Sequence, residues 1–290
     1  MLNCKLCPKK CGANRQIGRG LCGAGVLKAA RAAPHYYEEP CISGKNGSGA
    51  IFFSGCPLKC VFCQNYDISA GCEGTEITVA RLTEIMLELQ DRGCHNISLV
   101  SPTPYVPEII KALKIAKLKI PVVYNTSGYE RVETLKALDG YIDVYLPDFK
   151  YVTPEISEKY SGASDYPTVA AKALSEMLRQ RGGCEFDGDG MMTRGVIVRH
   201  LVLPSNKGES VKTLEYLSEN YDKSKFLLSL MAQYVPVHRA SEYKEINRRL
   251  TKYEYKKAAG AALSLGFTGY FQDPSSQDSA YTPKFDGTGI

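Results

Sequence analysis

The chain has 290 residues, 44% hydrophobic and 23% charged, the balance of an ordinary soluble globular protein. No apolar stretch approaches the roughly 18 residues that span a bilayer, and the N-terminus, Met1-Leu-Asn-Cys-Lys-Leu-Cys, lacks the apolar core of a signal peptide. No membrane is therefore expected, and the cytoplasm is the expected location. The net charge of +5 is unevenly placed: Lys5, Lys9, Lys10, Arg15, Arg19, Lys28 and Arg31 all precede the first acid, Glu38. Such a basic segment reads either as a nucleic-acid contact or as compensation for metal-bound thiolates. Residues 1–34 lack the interleaved aromatics of a base-stacking surface, which argues against nucleic acid.

Seven of the 11 cysteines fall in two tight groups, which points to metal binding in a reducing compartment rather than to disulfides. The first group is Cys4-x2-Cys7-x3-Cys11, followed after ten residues by Cys22. Gly12, Gly18, Gly20, Gly23 and Gly25 supply the turns of a knuckle. With little apolar material beside them, these residues cannot build a core, so a metal is expected to hold them. Four thiolates suit structural zinc or a second iron centre, and ligand type alone does not choose between them. The alternative is a flexible leader with free cysteines.

Residues 35–44 read as an extended bridge framed by Pro34 and Pro40; Glu38 and Glu39 read as surface carboxylates in preference to an approach, with Cys41, to the active site. Residues 45–49 read as a turn, since they lack the phosphate-loop pattern. The apolar run Ile51-Phe52-Phe53 then leads into Gly55-Cys-Pro-Leu-Lys-Cys-Val-Phe-Cys-Gln-Asn65, where Cys56, Cys60 and Cys63 stand in C-x3-C-x2-C spacing. A [4Fe–4S] cluster normally takes four thiolates. Three close cysteines would leave one iron open, and an open site is how a metal centre binds a reacting molecule. The plainer readings are three core cysteines or part of a zinc site.

Beyond this loop, strands are expected near 50–54, 96–101, 121–126, 141–146, 195–203 and 226–233. Val122-Val-Tyr and Val196-Ile-Val have the apolar, β-branched character of buried parallel strands. Helices are expected at 78–92, 107–118, 130–138, 166–181, 210–220 and 241–260. The first carries Leu82, Ile85, Met86 and Leu89 on one stripe. Alternation of strand and helix implies βαβ units; six of them suggest an α/β fold, a partial (β/α)6 barrel of the TIM type. Asp187-Gly-Asp-Gly lacks the other calcium ligands, so 182–192 reads as a mobile loop or hairpin. The expected organisation is a Cys-rich metal-binding segment and bridge (1–49), the barrel (50–272), and a tail (273–290) that either wraps the barrel or is disordered.

The cluster-type loop resembles that of the radical S-adenosylmethionine superfamily, for which a partial barrel is the usual architecture. The chain looks closest to pyruvate formate-lyase activating enzyme-related proteins with an N-terminal Cys knuckle, over most of residues 1–272. The resemblance implies a [4Fe–4S] cluster on Cys56, Cys60 and Cys63, with S-adenosylmethionine on the open iron. Reductive cleavage then gives a 5′-deoxyadenosyl radical that abstracts hydrogen from a substrate. It implies Phe62 beside the adenine and Thr103 near the methionine amine. Asn125-Thr-Ser-Gly-Tyr resembles the activases' Asp-Thr-Asn-Gly-Tyr, which implicates Asn125 and Ser127. Asp148-Phe-Lys150 resembles their Asp-Leu-Lys, so Lys150 would meet the cofactor carboxylate and Asp148 the ribose or a nearby cation. Arg199-His200 resembles their Arg-Tyr strand, implicating His200 in contact with cofactor or substrate; His238 lies in a segment resembling their Leu-Pro-Tyr-His. A flavodoxin- or ferredoxin-like donor is the implied electron source. Two departures stand out: Gly47-Ser-Gly-Ala-Ile-Phe-Phe replaces the activases' Gly-Pro-Gly-x-Arg stretch, and Ser101-Pro-Thr-Pro replaces Gly-Gly-Glu. They favour a small-molecule substrate; installation of a glycyl radical on a partner protein is the alternative. No catalytic residue is assigned.

Overall fold

The computed structural model describes residues 2–205, 208–276 and 282–290. Residues 2–27 contain no helix or strand. Their turns are closed by backbone bonds instead: the Cys4 amide donates to the Ala13 carbonyl and the Gly12 amide to the Cys4 carbonyl, both at 3.0 Å. Arg15 anchors the segment to the rest of the molecule. Its buried guanidinium donates to the carbonyls of Gly25 and Pro104 and lies over the Tyr105 ring.

Strand β1 (Lys28–His35) and the short helix α1 (Pro40–Ser43) lead to β2 (Ser48–Phe53), buried at every position. After the cysteine loop come α2 (Tyr66–Ser69) and the two-residue β3 (Thr75–Glu76). The alternation then runs α3 (Val79–Asp91), β4 (Ile97–Val100), α4 (Val106–Ala116), β5 (Val122–Thr126), α5 (Val132–Ala137) and β6 (Val144–Pro147). It continues with α6 (Pro154–Ser161), α7 (Tyr166–Arg181), β7 (Glu185–Phe186), β8 (Met192–Leu201), α8 (Glu209–Asn220), β9 (Leu227–Met231), α9 (Lys252–Ser264) and β10 (Gly269–Phe271). The sheet order is β10-β9-β8-β6-β5-β4-β2-β1-β3, with β7 hairpinned on β8. From β2 to β10 every pair is parallel; β1 lies antiparallel on β2. The two ends do not meet, so the sheet is an open, partial barrel, as the alternation implies. All six expected strands are present.

Period-two alternation explains where the cavity lies. Val123, Val144, Leu146 and Ile197 pack together with Ile42 of α1. Two residues further along the same faces come Asn125, Asp148 and Arg199. The inner face is thus apolar at its base, with Ile42 filling it, and polar at the C-terminal strand ends. The opposite faces carry Tyr124, Tyr145 and Val196, which join the main core between sheet and helices.

Several expectations change. Residues 28–35 form a paired strand, because β2 offers an unpaired edge that a local reading cannot see. Glu38 and Glu39 are not surface carboxylates: the Glu38 side chain is 9% exposed and Glu39 is buried. The last helix starts at Lys252 rather than 241. Thr251 and Glu254 form a reciprocal capping box there, which fixes the start. The 182–192 segment is a hairpin turn in which Asp187 Oδ1 accepts from the amides of Asp189 and Met191. Helix α6, opened by Pro154 at its first turn, was not expected. The end of the tail packs on β1: Ala32 donates to Thr288, Gly287 donates to Ala30, Arg31 pairs with Asp286, and Phe285 meets Phe52 edge-on. Residues 277–281 of the tail lie outside the described residues.

Candidate active site

The C-terminal strand ends open into one cavity, and Cys56, Cys60 and Cys63 line it together. Phe62, Asn125, Ser127, Asp148 and Lys150 line the same cavity. Gly55 makes the loop possible. Its φ of +91° suits glycine, and an added Cβ would stand 2.8 Å from the Cys22 carbonyl oxygen. That carbonyl accepts the Cys56 amide at 3.0 Å, so the N-terminal segment braces the loop directly. From the other side the last turn of α6 holds it: the Lys59 amide donates to Ser161 and the Val61 amide to Tyr160.

The three thiols are half-buried and open to the same cavity. Burial, reinforced by the neighbouring thiols, pushes Cys56 far up and Cys63 up to about 11; burial also raises Cys60, against the pull of Lys150. Three thiolates in so small a space need a compensating cation, which a metal cluster supplies. Among the described residues, no group of three or more His, Cys, Asp or Glu side chains is arranged to hold a single metal ion. A cluster takes each cysteine on a different iron, so its ligands need not converge on one point. The donor set fits a [4Fe–4S] cluster with one iron open.

Opposite the thiols lies a charged network built from three strand ends and the bridge. Arg199 Nε donates to Asp148 Oδ1 at 2.9 Å, Nη2 to Asn125 Oδ1 at 2.6 Å, and Nη1 to Glu38 Oε2 at 3.3 Å. Asn125 Nδ2 donates to Glu38 Oε1 at 2.9 Å, and the Lys150 ammonium pairs with the second oxygen of Asp148. Asp148 and Lys150 are each 15% exposed and Arg199 14%, so these pairs are screened little by solvent. Burial opposes ionisation of Asp148, yet Arg199 and Lys150 together hold its carboxyl below the usual range. Burial likewise opposes the charge on Lys150, and Asp148 more than restores it. For Glu38 burial wins over Arg199 and Asn125, and its pKa is raised. The Tyr166 hydroxyl ties the strand ends: it lies 2.9 Å from the carbonyl oxygens of Ser127 and Asp148 and accepts the Lys150 amide at 3.0 Å.

Two residues implicated by resemblance are not brought to the cavity. Thr103 is buried and gives its hydroxyl to Glu130. His200 is buried, with Nδ1 2.8 Å from the Phe149 carbonyl and Nε2 2.9 Å from Ser210 Oγ. It faces the opposite side of β8 from Arg199, and burial holds it neutral. His238 stacks on Tyr66. Cys4, Cys7 and Cys22 are buried and Cys11 half-buried within the N-terminal segment. An added Cβ on Gly20 would lie 3.3 Å from Cys11 Sγ and 3.4 Å from Cys22 Sγ, so those two sulfurs share one side of the knuckle.

Other contributors lie outside the motifs. Glu38, for which the surface reading is the favoured one from sequence, reaches the cavity because β1 turns it inward. Tyr37, His35 and Pro283 form the outer wall, and Gln64 donates to the Gln233 carbonyl across the mouth at 2.9 Å. His35, half-buried against Phe52 and Tyr37, has its pKa lowered to about 4 by desolvation and Arg31, so it is neutral at pH 7. None of these positions carries a local sequence signal.

An open parallel barrel whose strand ends bring three cysteines and a buried ion network into one cavity is suited to a polar, charged cofactor. Residues 50–220, more than half of the chain, match the Radical SAM superfamily. The chain is 33% identical over 266 residues to the uncharacterized protein MJ0674 of Methanocaldococcus jannaschii, a match covering 88% of this chain and 73% of that protein. Solved structures of Streptococcus suis SuiB, bound to its precursor peptide SuiA and to S-adenosylmethionine, superpose with TM-scores of 0.47 and 0.46 at 15% identity. These matches cover 72% of this chain and 43% and 42% of SuiB, so the chain spans less than half of that protein's length. The chain belongs to the radical SAM superfamily. It is a radical SAM enzyme, and the family implies S-adenosylmethionine and a [4Fe–4S] cluster as its cofactors. No helix among the described residues is long and apolar enough to cross a membrane.

Proposed function

We propose that Cys56, Cys60 and Cys63 hold the [4Fe–4S] cluster and that the enzyme abstracts hydrogen from a small-molecule substrate. The observation that carries this reading is the sharing of one cavity by the three thiols and the Lys150–Asp148–Arg199–Glu38 network. When bound, the cluster supplies an electron that cleaves S-adenosylmethionine to methionine and the 5′-deoxyadenosyl radical. Lys150 meets the cofactor carboxylate, a charge-assisted contact strengthened by low exposure. Asp148 holds the Lys150 ammonium in place, Phe62 lies beside the adenine, and Asn125 and Ser127 offer polar contacts to the remaining groups. The closed base and the wall of Tyr37 and Pro283 limit the substrate to what fits inside, which favours a small molecule over a glycyl radical partner.

The N-terminal segment is proposed to carry zinc or a second iron centre on Cys4, Cys7, Cys11 and Cys22, in a Cys-rich unit (1–49) ahead of the barrel (50–272) and tail. It also suits electron entry. Ile17, Leu21 and Val26 are exposed, as are the basic Lys5, Lys10 and Arg19 of the same segment, and Cys22 touches Cys56 through the backbone. An acidic flavodoxin- or ferredoxin-like donor fits such a surface. Both centres require a reducing compartment, hence the cytoplasm.

Anaerobic reconstitution tests the reading. Iron, sulfide and zinc are measured per chain, then 5′-deoxyadenosine after reduction. A Cys56→Ala, Cys60→Ala, Cys63→Ala variant should lose the product and keep any metal of the N-terminal segment; retained product would sink the assignment. Deuterium transferred to 5′-deoxyadenosine only from a partner's glycine, and never from a small molecule, would instead establish an activase.

A further inference from the structure

We infer that Ser161 and Ser69 are positioning residues whose hydroxyls set the reduction potential of the cluster, and that Tyr151 completes the Ser161 contact. The inference rests on the reading that Cys56, Cys60 and Cys63 hold that cluster.

Cys60 Sγ lies 3.1 Å from Ser161 Oγ, and Cys63 Sγ lies 3.2 Å from Ser69 Oγ. The Ser161 hydroxyl is in turn 3.0 Å from the Tyr151 hydroxyl. A metal-bound thiolate carries no proton, so it can only accept. With Cys60 as a ligand, Ser161 must donate to Cys60 Sγ, and its oxygen then accepts from Tyr151. The direction of the whole chain is fixed by the sulfur. Ser161 and Tyr151 are fully buried, so water does not compete, and successive hydrogen bonds polarise one another. Burial also keeps the Tyr151 phenol protonated, as a donor must be. Backbone amides also meet two of the sulfurs, that of Leu58 at Cys56 and that of Asn65 at Cys63.

The hydroxyls are not needed to place the loop. The Lys59 amide already donates to the Ser161 carbonyl at 3.1 Å, and the Val61 amide to Tyr160 at 2.9 Å. Ser69 is held at the end of α2 by its own amide, which donates to Asn65 at 2.9 Å. Removing a hydroxyl therefore changes what the sulfur feels and leaves the clamp. Hydrogen bonds to ligand sulfurs favour the more electron-rich, reduced cluster and raise its potential. The two hydroxyls make the cluster easier for its one-electron donor to reduce than backbone amides alone would.

The test uses the full chain, reconstituted anaerobically, as wild type, Ser161→Ala, Ser69→Ala and Tyr151→Phe. Iron and sulfide are counted, and the midpoint potential is read from an EPR-monitored redox titration. Ser161→Ala and Ser69→Ala should shift the midpoint to more negative values at unchanged iron content. Tyr151→Phe should give a smaller shift of the same sign. Fully loaded alanine variants with the wild-type midpoint overturn the inference. Should Ser161→Ala fail to load, Tyr151→Phe and Ser69→Ala decide it, and wild-type midpoints in both overturn it. A wild-type protein that takes up no cluster rejects the underlying assignment instead, so the two failures are distinguishable.

Discussion

Behind the strand that carries Asn125, Glu130 is buried with one oxygen satisfied and one bare. Its Oε1 accepts from the hydroxyls of Thr103, Thr126 and Tyr124, while Oε2 has no partner among the described residues. Burial pushes its pKa up from 4.5 to about 7 against the three donors that favour ionisation. In the unfolded chain the carboxyl loses its proton near pH 4.5, so between there and pH 7 the folded state binds more protons. Stability from this group is thus fully present below pH 4.5 and falls as pH rises through 7, by on the order of 3 kcal/mol. Glu130→Gln, which does not ionise, should gain on the wild type in melting temperature from pH 5 to pH 8. A pH-independent difference would show that Glu130 is already ionised in the fold. Glu130 also explains Thr103: a hydroxyl committed to a buried carboxylate is taken from the cavity. No motif reveals that commitment, because it depends on a residue 27 positions away.

At the scale of elements, the cysteine loop is held more by its neighbours than by itself. At Gly55 the Cys22 carbonyl crosses where a side chain would go. Gly55→Ala should push Cys22 and Cys56 apart. We expect reduced iron loading on reconstitution with an unchanged far-UV circular dichroism spectrum; full loading would contradict the brace. The same comparison shows which elements are legible. The six central strands are apolar on both faces, so their sequence reads as strand wherever it stands. Helix α3 announces itself by its stripe and by Thr78, which accepts the Arg81 amide at 3.0 Å. By contrast, β1 is a strand only because β2 lies beside it, and residues 243–251 lose their apparent helicity to packing of Ile246 and Leu250 into the core. Where burial comes from a distant partner, local propensity has no say.

Across the whole molecule, the N-terminal segment and the end of the tail converge on β1 and β2, and both bear on the cavity. Phe285 covers Phe52, and Pro283 lines the cavity mouth. Deleting residues 282–290 should speed hydrogen exchange at the Ala32 amide, which loses its Thr288 acceptor, and lower the melting temperature. Unchanged protection at Ala32 would mean that the tail contributes nothing to this edge.

The sequence by itself determined the class of chemistry and the scaffold. Cysteine spacing within one loop and apolar strand runs are local properties, so the gathering of Cys56, Cys60 and Cys63 in one loop and the six barrel strands were readable without coordinates. The positions of Asn125, Asp148 and Lys150 at strand ends followed from the same period. Only the tertiary structure decided which polar groups share the cavity. Arg199 and His200 are adjacent in sequence, yet alternation along β8 sends one to the ion network and the other into the helical layer. Glu38 was drawn inward by a strand pairing, and Ser161 and Tyr151 reached Cys60 from 101 and 91 residues away along the chain. Such contacts arise from how distant elements pack, and no spacing within the sequence encodes them.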